Sequence, residues 1–125
     1  MAIEYSFDER TNILTIASSG DVSVQERYGA AQRAIRDESL PKQCDILIDV
    51  TGVSKEPLPG DEQLIASLLR LLSERFSGRI AILTGGGAVS LSTVILIAFL
   101  ADSGQRNLRS FGSRGEAFSW LHDFV

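Results

Sequence analysis

A chain of 125 residues has the size of one domain spanning 1–125, and 44% hydrophobic against 22% charged residues excludes a disordered chain and predicts one buried core. A net charge of −4 supplies no positive field for phosphate backbones or anionic lipid, so nucleic acid is not an expected partner and peripheral membrane contact has no support from charge. A single cysteine, Cys44, excludes an internal disulfide and, with His122 as the one histidine, cannot build a usual zinc site, so neither metal nor cofactor is expected.

Ile3, Tyr5 and Phe7 alternate with Glu4, Ser6 and Asp8, the period of a strand with one face buried, and Leu14 and Ile16 resume it after the polar turn Glu9 to Asn12. These residues predict a hairpin. The acids and Arg10 also interrupt any apolar leader, which makes the cytoplasm the expected location. Ser23 with Glu26 forms a capping box, and Val24, Tyr28, Ala31 and Ile35 follow at helical spacing, predicting a helix over 23–37 that Pro41 keeps from continuing.

Ile46, Leu47 and Ile48 in succession predict a strand covered on both faces, the centre of a parallel sheet. Thr51 to Gly60, with two prolines and two glycines, reads as an irregular segment leading to a helix over 61–76 capped by Asp61. A short apolar strand over 79–84, the turn Gly85, Gly86 and Gly87, and a helix over 90–101 come next. The apolar run Val94 to Ala101 is far below the roughly 20 residues that cross a bilayer. Leu108 to Phe111 predicts the last strand, and Ser113 with Glu116 caps a final helix carrying Ala117, Phe118 and Leu121. The order therefore predicts an α/β fold: a mostly parallel five-stranded sheet with a leading β-hairpin, covered by four helices.

The order of elements, the strand Ile46-Leu47-Ile48-Asp49-Val50 and the ending with Phe111, Glu116, Ala117, Trp120 and Leu121 resemble the SpoIIAA-like group, which includes STAS domains. The resemblance spans essentially the whole chain and implies an anti-sigma-factor antagonist or a regulatory domain. A similar topology occurs in CRAL-TRIO lipid-binding domains. The antagonists carry an Asp-Ser-Ser-Gly type signature at the start of the second helix, whose serine a partner kinase phosphorylates. Here that stretch reads Pro57, Leu58, Pro59, Gly60, and Ser54 lies several residues earlier, so the resemblance brings no phosphorylation site with it.

Ligands of open α/β sheets gather outside the carboxyl ends of the strands, which makes Asp49, Thr51, Ser54, Thr84, Gly85, Gly86, Gly87 and Ser90 the candidate binding residues. Asp49 could hold a ligand hydroxyl or serve as a base, or it could accept hydrogen bonds from its own loop. The three glycines could admit an anion to a helix N-terminus or could simply make a tight turn, and no Gly-Lys-Ser/Thr or Gly-x-Gly-x-x-Gly motif accompanies them. No second titratable group pairs with Asp49 in the sequence, so no catalytic residue and no enzyme are expected. Leu64, Leu68 and Leu72 widen the apolar face of the second helix beyond a narrow stripe, as a thick core, a homodimer interface or an apolar pocket would require. The leading expectation is thus a regulatory module with a protein partner or self-association. The alternative is a protein binding a small anionic or lipid-like ligand, using an apolar pocket beneath helix 61–76 and the crevice at the carboxyl ends of the strands.

Overall fold

The computed structural model describes residues 2–20, 23–53, 61–84 and 107–122. Strands β1 (Ala2–Asp8) and β2 (Ile13–Gly20) form the hairpin, with helix α1 (Val24–Arg36) after them. Strand β3 (Asp45–Val53), helix α2 (Asp61–Arg75), strands β4 (Ile80–Leu83) and β5 (Leu108–Phe111), and helix α3 (Arg114–His122) complete the described chain. The helix predicted over 90–101 lies outside the described residues.

The sheet order is β1-β2-β3-β4-β5, with β1 antiparallel to β2 and every other pairing parallel, as the alternation of elements predicts. In the hairpin turn Asn12 takes a φ of 59°, a region that asparagine tolerates better than most residues, while its amide donates to the Asp8 carbonyl at 2.8 Å. Strand β3 runs three residues past Val50, into what the sequence presents as loop. A bulge opposite Ser18 lets Gly52 and Val53 pair with Ser19 and Gly20. The lack of a side chain at Gly52 permits this approach, since a Cβ there would lie 3.1 Å from that of Ser19.

Each parallel crossover advances one strand in the same direction, and crossovers of one hand then lie on one face. Accordingly α1 and α2 share a face, where Leu14, Ile16, Ile46, Ile80 and Ile82 of the strands meet Ala31, Ala34, Leu69, Leu72 and Phe76. Helix α3 packs on the other face through Ala117 and Leu121 against Ile13, Leu47, Ala81 and Leu83.

The helix ends are closed by side chains. Ser23 and Glu26 form the reciprocal capping box of α1. At the other end of α1, Arg75 donates to the carbonyls of Ile35, Asp37 and Leu40 at 2.9, 3.2 and 2.9 Å. This clasp ties the last residue of α2 to the exit of α1 and satisfies carbonyls that the helix cannot. Cys44 is buried in the same core, and burial, with Asp45 beside it, pushes its thiol up to about 11. No described helix is long and apolar enough to cross a membrane.

Candidate functional site

Side chains alternate along β3, so Ile46 and Ile48 face α1 and α2 while Leu47 and Asp49 face the side of α3. Asp49 stands near the carboxyl end of β3, opposite Ala17 of β2 and Leu83 of β4. It is the one buried carboxylate among the described residues.

Both oxygens of Asp49 are engaged. Oδ1 accepts from the Thr51 amide at 3.0 Å and from the Thr51 hydroxyl at 2.6 Å, closing a local turn two residues long. Oδ2 accepts from Arg114 Nη2 at 2.6 Å. The arginine reaches Asp49 because β5 ends beside β4, so that α3 begins at the carboxyl rim. Its side chain stays 56% exposed while that of Asp49 is 12% exposed, leaving one member of the pair at the surface and the other beneath it.

Two further contacts organise this rim. Thr84, just past β4, donates from its amide and its hydroxyl to the Phe111 carbonyl at 2.9 and 3.2 Å, joining the ends of β4 and β5. Ser113 accepts the Glu116 amide at 3.2 Å as the cap of α3.

Asp49, Thr51 and Thr84 thus share the carboxyl rim of the sheet. Ser54, Gly85, Gly86, Gly87 and Ser90 lie outside the described residues. Leu72 is wholly enclosed in the core, Leu68 is partly buried against it, and Leu64 is partly buried near the start of α2. Leu64, Leu68 and Leu71, spaced four and three residues apart, form a half-open stripe along that helix. Arg114 is the residue that sequence reasoning missed. Its one signal is its place at the start of the helix following the last parallel strand, which brings it to the level at which Asp49 pairs with the last residue of β4.

Chemically the arrangement is a fixed carboxylate. A carboxyl group that accepts from a guanidinium, a hydroxyl and an amide has most of its acceptor positions taken and little lone-pair capacity left for a substrate. His122 is exposed and stacks on Phe118 with ring centroids 6.2 Å apart, on the last turn of α3. No group of three acids, histidines or cysteines that could hold a metal occurs among the described residues.

Neither a protein-family profile nor a curated protein sequence matches the chain. Among solved structures, the fold is similar to that of the anti-sigma factor antagonist SpoIIAA in its unphosphorylated form, with a TM-score of 0.56 and 13% sequence identity. The match covers 99% of this chain and 100% of that one. The chain therefore has a SpoIIAA-like fold.

Proposed function

We propose that this SpoIIAA-like domain is a non-enzymatic regulatory module of the cytoplasm that acts by binding another protein or a second copy of itself. The engagement of Asp49 carries this reading: the carboxylate best placed for chemistry at the strand ends is spent on holding Thr51 and the start of α3 in place. The half-open leucines of α2, on the opposite face of the sheet, supply an apolar contact surface.

The test has two arms. Leu68→Asp is expected to abolish association with the partner, or with a second copy in sedimentation, while circular dichroism retains the helical signal. Turnover of a substrate in a broad hydrolase and transferase screen, lost in Asp49→Asn, would overturn the reading.

One observation favours a small-molecule ligand instead. Ser18, only 5% exposed, carries a hydroxyl oxygen with no hydrogen-bond partner among the described residues, near the carboxyl end of β2 on the face covered by α1 and α2. An unmet buried hydroxyl is costly, and a polar group of a bound ligand would satisfy it. Native mass spectrometry of the freshly purified protein separates the readings, because a consistently bare mass removes the ligand alternative.

A further inference from the structure

Arg109 projects from β5 on the α3 face, opposite Ala81 of β4. It is exposed, and its guanidinium carbon lies 5.8 Å from the Phe111 ring centroid and 5.9 Å from that of Trp120. The two rings lean on each other at 5.5 Å, and Arg79 lies 4.8 Å over the Trp120 ring while donating to the Trp120 carbonyl at 2.6 Å. Both rings are only partly buried.

Arg109 has no hydrogen bond and no ion pair among the described residues. Its register neighbour on β4 is an alanine, and β5 is the last strand of the sheet, so the sheet brings no acid to it. Ring contacts restrain the guanidinium without using its N–H donors, which leaves a planar fork with unused donors on an exposed side chain. Tryptophan and arginine together are the residue types that dominate protein interfaces, and a cationic, aromatic patch on a chain of net charge −4 complements an acidic surface.

We propose that Arg109, Phe111 and Trp120 form a second docking site, one that takes a carboxylate side chain from an acidic segment of a protein partner. The carboxylate accepts from the Arg109 fork while apolar atoms beside it cover the two rings. This rests on the protein-interaction reading but places a contact away from the leucines of α2, on the opposite face of the sheet.

Trp120 is the single tryptophan of the chain, so its emission reports on this site alone. The full chain is titrated with a short glutamate- and leucine-containing peptide, a lysine counterpart and a single-stranded oligonucleotide. A saturable change in emission is expected with the acidic peptide only, weakening as salt is raised. Arg109→Ala, whose exposed side chain the fold does not need, weakens that binding at least about tenfold. Absence of a response, an equal response in Arg109→Ala, or tighter binding of the oligonucleotide overturns the proposal. Leu68→Asp, once shown by circular dichroism to be folded, keeps the Trp120 response, so failure at α2 and failure at Arg109 are told apart.

Discussion

The two faces of the sheet are made from the same five strands, yet they differ in what they ask of their side chains. On the face of α1 and α2, Leu14, Ile46, Leu72 and Phe76 are each no more than 2% exposed, and the charged groups stand at its margin, where Arg75 closes a helix end. On the face of α3, a single nine-residue helix among the described residues packs on the sheet, and around its apolar contacts sit Asp49, Arg79, Arg109 and Arg114. The first arrangement spends sequence on burial. The second leaves charges and rings within reach of another molecule at the cost of a smaller core.

The comparison breaks most readily at Phe76. Phe76→Ala is expected to lose about 3–5 kcal/mol in chemical denaturation, because the ring is enclosed and its neighbours cannot collapse fully into the space. Leu121→Ala on the opposite face should lose less, at the low end of about 2–5 kcal/mol. An equal loss would show the two cores to be equivalent. Asp49→Ala comes next, at about 2 kcal/mol, since three donors lose a charged acceptor. Arg114→Ala should cost under about 1 kcal/mol, its exposed guanidinium being screened by water. A larger loss would make the rim pair a structural keystone.

The smallest effect is expected at Asp37, where α1 ends. Its carboxyl is held below the ordinary carboxylate range, first by the Ser39 hydroxyl, then by the Ser39 amide and by Tyr5, whose phenol is correspondingly raised by the bond it donates. A depressed folded value means that the stabilisation is present above the unfolded pKa and is lost as pH falls through the folded one. Asp37→Asn should therefore lower stability slightly at neutral pH and flatten the acid limb of the profile, so that it converges with the wild type at the acid end. An acid limb as steep in the variant as in the wild type would remove Asp37 from the account of acid stability.

Local chemistry made much of this fold readable. The alternation of Ile3, Tyr5 and Phe7 is the strand, and Ser23 with Glu26 is the observed capping box. The three consecutive aliphatics of β3 mark the middle of the sheet. What escaped depends on contacts between distant residues. The extension of β3 to Val53 rests on a bulge and on Gly52 lying against Ser19, whereas glycine in isolation reads as a strand breaker. Asp49 could be singled out by its position at a strand end, but its partner Arg114 is 65 residues away and becomes visible only once β3, β4 and β5 are laid side by side. The Arg109 cluster depends likewise on how α3 seats Trp120 over β5, which no spacing within β5 reveals.

The strands also lie across the sheet in the order in which they occur along the chain. No strand waits for a later one to be inserted beside it, so the sheet can grow outward from the hairpin one unit at a time, as residues emerge during synthesis. Loop closure then stays short at each addition, apart from the last link. Arg114, at the start of α3, meets Asp49 of β3 only once β3, β4 and β5 lie side by side, so that bond reports the pairing of these three strands.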